Sequence, residues 1–203
     1  MDETADLDDA ITGVVSSFTG YAGQKCSACS RAIVHAAIYN SFLDRLKEAV
    51  LSLRVGNPEE PGTQVGPVID RRAQSKIQEY IEIGKKEARL LVEGTVTGPG
   101  WYVGPTVFAD VAPTHRVAQE EIFGPILAVM KAASFQEALT PGTFDGLCTH
   151  RRSLFTKPCQ SGTGTATVRC RESLSESSDH GCVSRPPAVW GPSTLRSRSE
   201  GRR

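Results

Sequence analysis

The feature that most limits what this chain can fold into is a change in its apolar pattern near residue 139. Before it, residues 4–18 place Leu7, Ile11, Val14 and Phe18 on one helical face behind an acidic first turn, which suits a helix N-terminus. Residues 31–35 form a short apolar run that predicts a buried strand. Residues 37–53 repeat Ile38, Phe42, Leu46, Val50 and Leu53 at helical spacing. The Gly- and Pro-rich stretch 56–67 reads as loop. Residues 70–88 predict a third helix around Ile77, Tyr80, Ile81 and Gly84, and further strands are predicted at 89–93, 105–109 and 125–131. Helices alternating with short apolar strands predict an α/β layer with a mainly parallel sheet. After Leu139, Ser, Arg, Gly, Thr and Pro dominate and β-branched apolar residues become few. A segment of that composition cannot bury a core and is expected to be disordered. The chain is therefore read as a globular unit, 1–139, followed by a tail, 140–203.

Charge excludes some partners. The net charge of the 203 residues is zero, which points to neither nucleic acid nor a membrane surface. The total conceals a split: residues 1–139 hold 13 Lys+Arg against 18 Asp+Glu, and residues 140–203 hold 10 against 5. No apolar run reaches the ~18 residues of a membrane span. The acidic N-terminus lacks the apolar core of a signal peptide, and six cysteines without a secretion signal fit reduced thiols in the cytoplasm.

Chemistry concentrates in Gly23-Gln24-Lys25-Cys26-Ser27-Ala28-Cys29-Ser30-Arg31. A thiol follows a Gly-Gln turn and precedes small residues, so the backbone can come close to a ligand and a carbonyl has room to reach the sulfur. A second block, Gln119-Glu120-Glu121-Ile122-Phe123-Gly124-Pro125, lies far along the chain, with Gly66-Pro67-Val68-Ile69 and Gly104-Pro105-Thr106-Val107 between them. Taken in order, these stretches resemble the aldehyde dehydrogenase superfamily. The string GQKCSACSR is most similar to the 1-pyrroline-5-carboxylate dehydrogenases, which oxidise glutamate γ-semialdehyde in proline breakdown. The resemblance covers residues 1–139 and implies a partial catalytic domain of that α/β fold.

It also implies roles. Cys26 aligns with the nucleophile, whose thiolate attacks the aldehyde; a hydride then leaves to NAD and water hydrolyses the thioester. Ser27 aligns with a hydroxyl that binds the substrate's α-carboxylate end, and Lys25 would add positive charge for thiolate or substrate. Glu121 aligns with the carboxylate that binds the nicotinamide ribose diol, and Phe123 with the aromatic beside the nicotinamide ring. Each has an ordinary alternative: a buried inert cysteine, solvated loop residues, a surface glutamate, a core phenylalanine. Cys29 completes a CxxC with Cys26, but no second pair occurs in 1–139, so packing is the better reading; His35 and His115 receive no role. No metal site is expected, because the tail's Cys148, Cys159, Cys170, Cys182, His150 and His180 fit no zinc spacing.

The resemblance implies further parts that these residues do not supply. The family's dinucleotide-binding domain, its water-activating glutamate and the asparagine of its oxyanion site would all precede Met1, so the chain alone is expected to be inactive. The family's homo-oligomer would also lack its bridging strand. The small aldehyde remains the expected partner. Two other readings stay open: another aldehyde or semialdehyde dehydrogenase, such as one acting on succinate semialdehyde, and a non-enzymatic fragment that binds intact subunits.

Codon arithmetic accounts for the loss of pattern after Leu139. Read one base later, Pro187-Ala188-Val189-Trp190-Gly191 can encode QPFGG, a string found near the family's C-terminus. Asp179–Gly191 is compatible with ITGALVGRQPFGG, Cys170–Glu176 with VGNLYLN and Thr149–Phe155 with LTGGVFS, in family order. A frame change would remove the selected periodicity and leave an unselected polypeptide. Sequencing the DNA around codons 139–142 is expected to reveal a gained or lost base; an intact frame there would refute the reading.

Overall fold

The computed structural model describes residues 1–96 and 98–138, with the short strands β5 (Arg152–Phe155) and β6 (Arg169–Glu172), which pair antiparallel. The chain divides into two units, 1–173 and 174–203, and the second lies wholly outside the described residues. The disorder expected for 140–203 likewise falls, apart from those two strands, outside them.

Local chemistry sets the helix starts. Helix α1 (Leu7–Thr19) begins at Asp6, whose carboxylate accepts from the backbone N–H groups of Asp8 and Asp9 at 2.9 and 3.2 Å. That satisfies donors with no partner inside the helix, while Asp8 and Asp9 face its positive end. Helix α3 (Arg71–Glu87) starts the same way, with Asp70 accepting from the Ala73 N–H at 2.7 Å. Helix α2 (Tyr39–Leu51) has no side-chain cap and depends on its buried face, Tyr39, Phe42, Leu43, Leu46 and Val50. All three helices fall within about two residues of the sequence expectation at most ends.

The four-stranded sheet runs β1-β4-β3-β2. Its strands are β1 (Arg31–His35), β2 (Arg89–Glu93), β3 (Thr106–Ala109) and β4 (Ile126–Ala132). β4 lies between β1 and β3 and is parallel to both, with Arg31 opposite Ala128 and Thr106 opposite Ile126; β2 is antiparallel to β3. The expected mainly parallel sheet is present. Side chains alternate across it. Val34, Val107, Ala109, Leu127 and Val129 pack with α1 and α2 on one face. Phe108, Ile126, Ala128 and Met130 pack with Ile77, Tyr80 and Ile81 of α3 on the other. A strand covered on both faces reads as a continuous apolar run, as 126–130 does.

The loop 56–67 is anchored more firmly than its composition suggests: Val55 and Val65 form an isolated parallel bridge, and both are buried with Val68. The sequence reading did not predict the one-turn helices α4 (Arg116–Gln119) and α5 (Phe135–Ala138). Four residues are too few to display a helical period. Among the described residues, no helix is long and apolar enough to cross a membrane.

Helix α3 reaches the sheet through Gly84. A β-carbon there would lie 2.4 Å from the Phe108 ring. Gly84→Ala should gain roughly 1 kcal/mol of helix propensity but cost about 1–3 kcal/mol in overpacking. Its denaturation midpoint is expected to fall. Gly20→Ala, with nothing within 4 Å of the added carbon, is expected to be close to neutral. Equal stability of Gly84→Ala and the unaltered chain would contradict this packing.

Candidate active site

The cysteine segment emerges from α1 through an unusual reversal. A 3-10 turn, Gly20–Gly23, contains Tyr21 and Ala22, both at φ 53° and ψ 35°, followed by Gly23 at φ 71°. Three successive left-handed residues turn the chain back on itself; only the glycine adopts that conformation without steric cost. Gln24 fastens the reversal. Its backbone N–H donates to the Tyr21 carbonyl at 3.1 Å, its side-chain amide donates to the same oxygen at 3.4 Å, and its Oε1 accepts from the Ile69 N–H at 3.0 Å.

Cys26 and Ser27 occupy the two corners of the next turn, which closes with the Ala28 N–H donating to the Lys25 carbonyl at 3.0 Å. Cys26 is exposed and Ser27 half-buried. The Lys25 ammonium stands 4.1 Å from the centroid of the Tyr21 ring, a cation–π contact. Cys29 points elsewhere. Its N–H donates to Ser17 Oγ at 3.1 Å, its thiol to the Arg31 carbonyl at 3.5 Å, and its side chain packs against the core beside α1. Arg31 donates to the Ala118 carbonyl at 2.7 Å, and burial draws its guanidinium pKa downward.

A close approach of backbones joins the two sequence blocks. A β-carbon on Gly23 would lie 2.2 Å from the Gly124 carbonyl oxygen and 2.8 Å from Pro125 N, so the backbones touch where only glycine fits. Gly124 is in turn pressed onto α3, its would-be β-carbon 2.6 Å from Ile77. The fold thus carries the cysteine turn and the Glu121–Phe123 segment on adjoining backbones, although the blocks are far apart in sequence.

Phe123 is held at φ 62° and is 43% exposed. Ile122 is buried and Glu121 exposed. Glu120 is engaged at both oxygens: Arg116 Nε donates to Oε1 at 2.7 Å, and Arg116 Nη2, at 3.2 Å, and the Tyr80 hydroxyl both donate to Oε2. Hydrogen bonds from Arg116, then Tyr80, hold the Glu120 carboxyl down at about 2, while donating to that carboxylate pushes the Tyr80 hydroxyl upward. The Lys76 ammonium donates to the Glu121 carbonyl at 3.0 Å.

A cleft of about 710 Å³ opens here, lined chiefly by Tyr21, Gln24, Ile69, Lys76, Ile122 and Phe123. Cys26, Ser27 and Glu121 lie outside its lining. The exposed Phe123 offers a surface for a planar ring, and the exposed Glu121 carboxylate, next but one to it, is an acceptor of the kind a ribose diol requires. Among the described residues, no group of three or more His, Cys, Asp or Glu could hold a metal ion. Sequence reasoning assigned nothing to Tyr21, Lys76, Tyr80 and Arg116. Lys76 and Tyr80 meet partners 45 and 40 positions away, which no local spacing reveals.

Residues 1–141 match the sequence profile described as aldehyde dehydrogenase family. A 1-pyrroline-5-carboxylate dehydrogenase of Geobacillus sp. (strain WCH70) is 51% identical over 140 residues, which cover 68% of this chain and 27% of that protein. The structure of 1-pyrroline-5-carboxylate dehydrogenase from Thermus with bound NAD superposes with a TM-score of 0.65 at 47% identity, over 68% of this chain and 27% of that one. An aldehyde dehydrogenase from Bacillus cereus in complex with NAD+ gives a TM-score of 0.65 at 36% identity, over 68% of this chain and 28% of that one. The chain therefore spans about a quarter of the length of the relatives it matches.

Proposed function

The chain belongs to the aldehyde dehydrogenase family, whose members act on small aldehydes, and from that premise we propose that residues 1–139 carry the nucleophile and part of the cofactor face for NAD-dependent oxidation of L-glutamate γ-semialdehyde to glutamate. The balance is one aldehyde, one NAD+ and one water giving one carboxylate, one NADH and two protons. The observation that carries this reading is the contact of Gly23 with Gly124, which brings the Cys26 turn against the segment bearing Glu121 and Phe123.

In this reading the Cys26 thiolate adds to the aldehyde carbon. Its exposure at a turn corner suits a nucleophile that must meet a carbonyl. NAD supplies the hydride acceptor. Phe123 supports the nicotinamide ring, and the Glu121 carboxylate accepts from the ribose hydroxyls. Ser27, beside the thiol, donates to the α-carboxylate end of the substrate. Lys25 contributes positive charge one residue away, with its ammonium steadied on Tyr21. Water then releases the product from the sulfur.

The substrate assignment draws support from relatives named 1-pyrroline-5-carboxylate dehydrogenase at 51% and 46% identity. The free thiol suits a reducing, cytoplasmic setting. The family match, which ends at residue 141, supports a boundary near 139. On its own the 203-residue chain is proposed to form no NADH.

Protection of the thiol tests the assignment. Glutamate γ-semialdehyde is expected to slow iodoacetamide labelling of Cys26, mapped by mass spectrometry, about tenfold more than succinate semialdehyde does, because the latter's carboxylate sits one carbon nearer the aldehyde and would miss the charge-assisted hydrogen bond from Ser27. Equal protection would move the substrate to another aldehyde. No protection by either would remove Cys26 as the nucleophile, and NADH formation by the chain alone would contradict its inactivity.

A further inference from the structure

Two adjacent glutamates, Glu120 and Glu121, stand in opposite situations. The Glu120 carboxylate accepts from three donor groups on two helices: the Tyr80 hydroxyl of α3, and Nε and Nη2 of Arg116 in α4, the latter two at 2.7 and 3.2 Å. The Arg116 guanidinium also lies 5.5 Å from the Tyr80 ring centroid. Among the described residues, Glu121 is held through its main-chain carbonyl, by Lys76 at 3.0 Å, and the residue is exposed. Lys76 and Tyr80 are four residues apart on α3 and share one face of it.

We propose that Tyr80 and Arg116 are positioning residues for the cofactor face: by clamping the Glu120 carboxylate they fix the backbone that aims Glu121 and Phe123. The inference rests on the reading of those two residues as cofactor contacts.

Strain gives the clamp a task. Phe123 sits at φ 62°, a conformation that persists only where surrounding structure enforces it. Downstream, Gly124 and Pro125 are locked against Gly23 and Ile77. Upstream, Glu120 is the last residue before the Glu121–Phe123 segment with a side chain tied to two separate helices. Remove that tie and the segment keeps the Lys76 bond to the Glu121 carbonyl and the burial of Ile122, but loses the side chain that fixes its entry. The low carboxyl pKa of Glu120, about 2, keeps it ionised at neutral pH. A bidentate guanidinium–carboxylate pair adds the directional constraint that a single hydrogen bond lacks.

Amide hydrogen exchange on the 203-residue chain reads the clamp directly. Tyr80→Phe deletes one hydroxyl and is expected to raise exchange at residues 121–124 about tenfold, with the Val129 amide in the central strand unchanged. Arg116→Ala should do at least as much, and Arg116→Lys, which restores charge without the fork, should recover part of the protection. Unchanged exchange at 121–124, or an equal rise at Val129, would overturn the proposal. Titration with NAD adds a second readout: Tyr80→Phe and Glu121→Gln are both expected to weaken binding. If Glu121→Gln weakens it and Tyr80→Phe does not, the positioning role falls. Where the unaltered chain binds NAD and Glu121→Gln leaves that binding intact, the cofactor reading falls; where it binds none, exchange alone decides the clamp.

Discussion

The structure of the site depends on one contact between backbones. Gly23 stands so close to the Gly124 carbonyl and to Pro125 that no side chain could be interposed. A left-handed φ at Gly23 is needed to bring the chain there, and the absence of a side chain is needed to let it stay. The position of the Cys26 turn relative to Phe123 follows from it.

Helix α3 extends this arrangement into the body of the fold. Gly84 lets it settle on Phe108 of β3, Ile77 receives Gly124, and Tyr80 and Lys76 reach Glu120 and Glu121. The same helix therefore packs the sheet at one end and supports the candidate site along its length. On the other side of the sheet, α1 buries Phe18 just before the reversal that launches the cysteine turn. The cysteine turn thus follows a helix whose apolar face is locked into the core, and the Glu121–Phe123 segment rests on another, as a precisely held site requires.

Much of this was legible in the residues. Leu7, Ile11, Val14 and Phe18 announced α1, and the apolar stretch 125–131 announced a strand; such patterns follow directly from burial on a repeating backbone. The cysteine and Glu-Glu-Ile-Phe-Gly-Pro blocks were also visible as motifs. Their union was not, because a glycine written in a sequence does not say which distant carbonyl will occupy the space of its missing β-carbon. The clamp on Glu120 was hidden for a related reason. Tyr80 and Arg116 look like an amphipathic-helix tyrosine and a surface arginine until the fold brings their donors to one carboxylate. The direction of β2 was likewise set by pairing with β3 rather than by its composition.

The most direct measurement is a nuclear Overhauser experiment between the α-protons of Gly23 and the δ-protons of Pro125. The built β-carbon position on Gly23 lies 2.8 Å from Pro125 N, so cross-peaks between these groups are expected to be strong in the folded chain. Assigned resonances with no cross-peak would mean that the two loops do not meet, and the thiol and the Glu121–Phe123 face would no longer form one site.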